Sequence, residues 1–306
     1  MVTPMSPDEA RVRKTTWRSS GNVERDDMTH SQIVPETARV GRTALTVTDL
    51  DETVDFYRDV VGLAVLTRTE TEATLGVDGT PLLVLERDAD APPRSRGQAG
   101  LFHNAFRVPT RAALGAALER IRDRWQLDGA SDHDVSEALY LTDPEDNGVE
   151  IYADRPREEW PRADDGTVEM GTAPLDLDAL AAESDRATAV PAGTTVGHVH
   201  LEASSLDAAR AFYVDALGLG VQVASSQALF LAAGDYHHHL GVNAWNGRSE
   251  PAGRRGLAWF EFVVPDEETL ATVRRRLDGS EIATSERADG IELTGPDGIP
   301  VRIRTE

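Results

Sequence analysis

The stretch Thr48–Leu63, TDLDETVDFYRDVVGL, returns as Ser204–Leu219, SSLDAARAFYVDALGL, and this recurrence decides the fold. Leu50, Asp51, Phe56, Tyr57, Asp59, Gly62 and Leu63 come back as Leu206, Asp207, Phe212, Tyr213, Asp215, Gly218 and Leu219, at a constant offset of 156 residues. The same offset carries GLFHNAFRVP, from Gly100, onto GLAWFEFVVP, from Gly256. The chain is therefore two copies of one half.

Each half divides again. Thr43–Val47 alternates like a strand. Asp49 or Asp51 can cap the helix that follows, in which Val54, Tyr57, Val60 and Val61 recur at helical spacing and Gly62 supplies the left-handed stop. Strand-like runs come next at Val65–Thr69, Ala73–Val77 and Pro81–Glu86, giving β-α-β-β-β. A second unit follows with a strand at Asn104–Val108, a helix from Arg111 to about Trp125, then strands at Ala138–Thr142 and Gly148–Tyr152. Units three and four occupy Val199–Gly247 and Leu257–Ile303. Units this short cannot cover both faces of their own sheets, so they must pair. The expected boundaries are a disordered leader at 1–37, in which Met28 is an equally good start, units one and two at 38–154, an acidic Pro-rich linker at 155–194 with a short helix in Leu175–Glu183, and units three and four at 195–306.

Composition narrows the chemistry. Cysteine is absent, which excludes disulfides, thiolate metal sites and a cysteine nucleophile. A formal charge of −22 repels nucleic acid. No apolar run approaches the roughly 18 residues of a membrane span, and no signal-type segment opens the chain, so the expected setting is the cytoplasm. One lysine stands against thirty arginines in this acidic chain, which suggests a high-salt cell whose counterions screen the self-repulsion. Apart from His30 in the leader, the histidines cluster on the starts and ends of the repeated strands: His103, His133, the pair His198 and His200, and the run His237–His239.

Four βαβββ units, the helix string FY-x-D-x-x-G-L and the ending D-P-x-x-x-G-V-E-I-Y at 143–152 resemble the vicinal oxygen chelate superfamily. GASDHDVSEALY at 129–140 and YHHHLGVN at 236–243 are similar to its catechol 2,3-dioxygenase (type I extradiol) branch. The resemblance spans residues 38 to 306 and implies an α+β fold of four modules paired into two barrel-like domains. It also implies one Fe(II), or Mn(II) with the same ligands, held by two histidines and one glutamate. Carried over by position, these are His103 on the first strand of unit two, Glu150 on its last strand, and His198 on the first strand of unit three. The matched positions elsewhere are Arg42 in unit one, and Trp259 and Arg302 in unit four. A complete centre therefore requires units two and three to pair, leaving units one and four to form a degenerate copy.

The resemblance further implies that His238 exchanges protons with substrate or oxygen, and that His133 and Tyr140 donate hydrogen bonds to the substrate oxygens. Strand alternation sets His237 and His239 on the face opposite His238, unless a bulge shifts the register. His200 is expected behind the ligands or in the core, and Tyr236 and Trp245 as packing or pocket wall. The turn before Glu150 reads DPEDNG where the branch has DPDGNG, so Asp146 must take the left-handed position. The expected activity is Fe(II)-dependent ring cleavage of a catechol-type or hydroquinone-type substrate by O₂, with a homo-oligomer left open. A glyoxalase-like lyase or isomerase needs an additional carboxylate, whose place the histidine cluster takes. A non-enzymatic drug-binding protein of this fold lacks the metal triad.

Overall fold

A computed structural model of the chain describes residues 34–164 and 166–306. Most of the leader, with His30 and Met28, lies outside the described residues. Unit one comprises β1 (Arg39–Val47), α1 (Leu50–Phe56), β2 (Ala64–Arg68), β3 (Glu72–Val77) and β4 (Thr80–Arg87). Unit two comprises β5 (Gly100–Arg107), α2 (Arg111–Arg124), β6 (Gly129–Asp132), β7 (Ser136–Thr142) and β8 (Gly148–Asp154). The connector holds the two-residue β9 (Ala173–Pro174) and α3 (Leu177–Ala182). Unit three runs through β10 (Thr195–Glu202), α4 (Leu206–Arg210), β11 (Gly220–Ala224), β12 (Ala228–Ala232) and β13 (Leu240–Asn243). Unit four runs through β14 (Gly256–Val264), α5 (Glu267–Leu277), β15 (Thr284–Arg287), β16 (Gly290–Thr294) and β17 (Pro300–Thr305).

Local chemistry starts and stops the helices. In the four units Asp49, Thr110, Ser205 and Asp266 each accept a backbone N–H of the first turn. After Phe56 the helix widens for one turn, the N–H of Gly62 reaching the carbonyl of Tyr57, and Gly62 turns left-handed at φ 95°. Leu50, Val54, Tyr57, Val60 and Val61 face the core. Buried Arg120 of α2 donates to the carbonyls of Val60 and Val61 at that helix end and to Ala187 of the connector. Burial pushes its guanidinium down to about 10, so it still carries its proton at neutral pH. Arg120→Met takes the donor from three carbonyls, those of Val60 and Val61 buried and that of Ala187 partly so. An expected cost of about 3 kcal/mol or more is readable by urea denaturation.

Pairing runs across the halves. One sheet orders its strands β15-β16-β17-β14-β1-β4-β3-β2, and the other β11-β12-β13-β10-β5-β8-β7-β6-β9. Units one and four thus share the first sheet, and units two and three the second. Each sheet is joined at its middle by antiparallel first strands, β1 with β14 and β5 with β10. Between the sheets, the Asn104 amide donates to the Thr43 hydroxyl at 2.6 Å, both fully buried.

In the first sheet the positions matched to the ligands hold no donor set. The Arg302 guanidinium lies 3.7 Å from the Trp259 ring centre and that of Arg42 lies 5.6 Å away. Arg42 pairs with Glu261, and Arg302 with Glu292. The altered turn before Glu150 also has a role. Asp146 takes φ 65°, and buried Glu145 accepts from both backbone N–H groups of Thr48 and Asp49 and pairs with Arg255, tying unit two to units one and four.

Two sequence expectations change. Residues 129–132, read only as part of a motif, form β6, which pairs with β7 and with β9 of the connector. The run His237–His239 lies on no strand: the chain leaves β12 at Ala232, turns through Gly234 at φ 65°, and enters β13 only at Leu240. Period-two alternation therefore has no purchase on these three histidines.

Candidate metal centre

The centre sits where β5, β8 and β10 run side by side. Parallel pairing sets Glu150 of β8 beside Ala105, two residues along β5 from His103 and on the same face. Antiparallel pairing brings β10 against β5, with Gly197 as a bulge just before His198. Glycine is required there, because a Cβ would lie 1.8 Å from the Tyr152 hydroxyl. The His103, Glu150 and His198 side chains are buried and converge. Nε2 of His103 and Nε2 of His198 lie 2.9 and 3.2 Å from Oε2 of Glu150, and 3.3 Å from each other.

Burial alone would raise the Glu150 carboxyl. The neighbouring His198 and His103 imidazoles outweigh it and hold the group well below the ordinary carboxylate range. Burial pushes His198 down to about 4, against the pull of Glu150, so its ring is neutral at pH 7. A buried carboxylate oxygen and two imidazole nitrogens thus converge on one point, where a cation would find three donor atoms. Donors about 2.1 Å from a metal on one octahedral face stand about 3 Å apart, so these separations suit an N₂O facial set. The residues fit a divalent ion such as Fe(II) or Mn(II).

The three residues face a cavity of about 320 Å³. Its walls are mainly apolar, with Phe102, Val135, Met170, Val223, Phe230 and Trp245 among them. Met170 to Thr172 come from the connector, which therefore closes one side of the site as well as joining the halves. Tyr140, His133, His200 and His238 add polar edges.

Of the run of three histidines, His238 alone lines the cavity, its ring centre 4.1 Å from that of His198. Burial, with the surrounding histidines, holds it well below the usual histidine range. His239 accepts the N–H of Ala233 at Nδ1, and burial lowers it to about 3. His237 lies between Asp154 and His238. His133 has both ring nitrogens engaged: Nδ1 lies 2.9 Å from the Gly171 carbonyl, so it donates there, and Nε2 lies 2.7 Å from the Tyr140 hydroxyl. Tyr140 and His133, both expected from sequence to bond the substrate oxygens, line the cavity side by side. Burial and then the Glu150 charge hold the Tyr140 phenol well above its usual range, so it keeps its proton. Tyr236 is packed behind the site against Tyr152 and Asp154, while Trp245 stands half exposed at the cavity edge.

The position equivalent to Glu150 across the pseudo-two-fold is Gly241. With His103 and His198 as equivalents, the pairing that sets Glu150 beside Ala105 sets Gly241 beside His200. A Cβ at Gly241 would come within 2.8 Å of the His200 ring. The fourth donor position is thus a glycine beyond the histidine run, with its space filled by His200, itself bonded to the Asn243 amide. Sequence reasoning also missed Asp154, although Glu150, Tyr152 and Asp154 alternate along one face of β8.

Fold and site together define a two-sheet βαβββ protein with one internal two-histidine, one-carboxylate centre. The description of the Glyoxalase/Bleomycin resistance protein/Dioxygenase superfamily matches residues 39–151. A catechol-2,3-dioxygenase of Bacillus subtilis (strain 168) is 39% identical over 274 residues, covering 86% of this chain and 95% of that protein. A solved structure from Bacillus subtilis subsp. subtilis str. 168 superimposes with a TM-score of 0.63 at 16% identity, covering 89% of this chain and 86% of that one. Glyoxalase I from Zea mays does so at 0.55 and 16% identity, covering 88% and 92%. At such identities these two structures support the fold alone. The chain belongs to the glyoxalase/bleomycin resistance/dioxygenase superfamily, and within it is an extradiol-dioxygenase-like oxidoreductase. Among the described residues no helix is long and apolar enough to cross a membrane.

Proposed function

We propose that this chain is an Fe(II)-dependent extradiol dioxygenase that opens a catechol-type ring, cutting a C–C bond beside the hydroxyl pair and placing both atoms of O₂ in the product. The observation that carries this is the convergence of His103, Glu150 and His198 on one face of a cavity edged by His238 and Tyr140. Bound iron would supply redox-active Lewis-acid chemistry, and His103, Glu150 and His198 would hold it. Tyr140 and His133 hydrogen-bond the substrate oxygens, and the Gly171 carbonyl fixes His133 for that task. His238 takes up and returns a proton from the opposite edge. The apolar walls hold the ring and exclude water. The lyase alternative lacks a carboxylate at its fourth position, which here is Gly241. The excess surface carboxylate suits a high-salt cytoplasm.

Anaerobic loading with Fe(II), then a catechol and O₂, should give a yellow ring-opened product with one O₂ consumed per ring. No uptake across a panel of catechols and hydroquinones, with iron bound, overturns the reading. Among the described residues the cavity lining carries no lysine or arginine. Alkyl- or aryl-substituted catechols should therefore exceed carboxylated ones by about tenfold or more in kcat/KM, since a buried carboxylate would go unpaired.

A further inference from the structure

Behind the cavity wall a buried chain of hydrogen bonds leads from β8 to His238. Nε2 of His237 lies 3.0 Å from Oδ1 of Asp154, and Nδ1 of His237 lies 2.8 Å from Nδ1 of His238. Asp154 is also held from its other side: the Tyr236 hydroxyl donates to it at 3.1 Å, and Nη1 of Arg107 lies 3.3 Å from Oδ2. Tyr152 meets the Tyr236 hydroxyl at 2.8 Å and closes that side of the network. The His237 side chain is almost completely buried, so water does not compete for these contacts.

The direction of each bond follows from its neighbour. Asp154, facing the Arg107 guanidinium, is a carboxylate and only accepts. His237 must therefore carry its proton on Nε2, which leaves Nδ1 as a bare acceptor. His238 must then donate from its own Nδ1. Its remaining nitrogen, Nε2, has no hydrogen-bond partner among the described residues, and the ring lines the cavity. We infer that Asp154 and His237 are positioning residues that fix His238 as the Nδ1–H tautomer, so that it meets the substrate as a proton acceptor at Nε2. The role in turnover rests on the dioxygenase reading; the tautomer itself does not.

The test is a long-range proton–nitrogen correlation spectrum of ¹⁵N-histidine-labelled, zinc-loaded protein, in which protonated and bare ring nitrogens resonate apart. His238→Gln identifies the signals. The wild-type protein should show His238 protonated at Nδ1 and bare at Nε2; the opposite pattern overturns the inference without recourse to any variant. Asp154→Asn should reverse the chain, because Arg107 retains the amide oxygen and turns the amide N–H toward His237. His238 then becomes the Nε2–H tautomer, and kcat with iron should fall by about 100-fold or more while KM stays within about threefold. Adding Arg107→Leu and Tyr236→Phe removes both donors that hold the amide oxygen, and should return the wild-type pattern and much of kcat, a rescue that a purely structural role for Asp154 does not predict. An unchanged His238 pattern in correctly folded Asp154→Asn protein overturns the inference. A reversed pattern in a protein whose wild type opens no ring sinks the dioxygenase reading and leaves the tautomer chain standing.

Discussion

Glu150→Gln is expected to abolish tight metal binding and ring opening and to lower the stability of the metal-free protein. The two effects have one cause. In the metal-free chain Glu150 is a buried carboxylate whose nearest partners are imidazoles, and burial holds His198 neutral. Desolvating that charge costs several kcal/mol, and the two imidazoles outweigh that cost, holding the carboxyl well below its ordinary range. Glutamine keeps the shape but gives up the charge that the imidazoles favour, so the melting temperature of metal-free protein should fall. With metal the gap widens. Saturating Fe(II) or Mn(II) at about 100 times its Kd adds about 2.7 kcal/mol of stability to the wild type, roughly 5 °C in Tm for a chain of this size. The variant should show almost none of this shift. Turnover should fall by at least about 10³-fold, the equivalent of about 4 kcal/mol of transition-state stabilisation. Metal analysis and paired thermal melts, with and without metal, check both halves. A variant that keeps full metal content removes Glu150 from the ligand set.

The parts of this molecule that were readable from sequence are those encoded locally or by repetition. Asp49 and Gly62 bracket a helix through capping and left-handed geometry that depend on nearest neighbours. The cross-pairing of units was readable because Arg42, Trp259 and Arg302 occupy the places of His198, His103 and Glu150, leaving one arrangement that completes a donor set. Features set by tertiary pairing were not readable. The resemblance singles out His238, and strand alternation would set it apart from its neighbours, yet it occupies a turn and is held there by His237, which is bonded in turn to Asp154. The connector reads as an acidic tether, but β9 adds to the edge of β6 and Met170 reaches the cavity, through contacts that no periodicity announces. Gly241 has no signal of its own in the string LGVN. Its meaning appears only once β13 is laid beside β10 and the His200 ring fills the space left by a missing side chain.

Cutting the chain between its halves should eliminate the centre entirely, because neither sheet belongs to one half. A fragment of residues 34–192 retains β1 and β5 but loses β14 and β10, the strands against which they lie along most of their length. It would expose two long edges carrying Val40, Leu45, Leu101 and Phe106, all buried in the intact protein. Unpaired apolar edges of that length pair with whatever strand they meet. The fragment also keeps His103 and Glu150 without His198, while residues 193–306 keep His198 alone. Each fragment by itself should bind no metal at native stoichiometry and should aggregate or self-associate. Co-refolding the two should restore both sheets, because the partner strands return as intact β10 and β14, and with them one metal per pair and ring-opening activity. Arg120, bonded to Ala187, and Val190, bonded to Gly62, favour a cut after the connector, which holds that segment on the first fragment. A monomeric fragment that bound metal at full stoichiometry would show that a centre can be built within one half. That would break the link between the loss of ligands from units one and four and the crossing of strands between the halves.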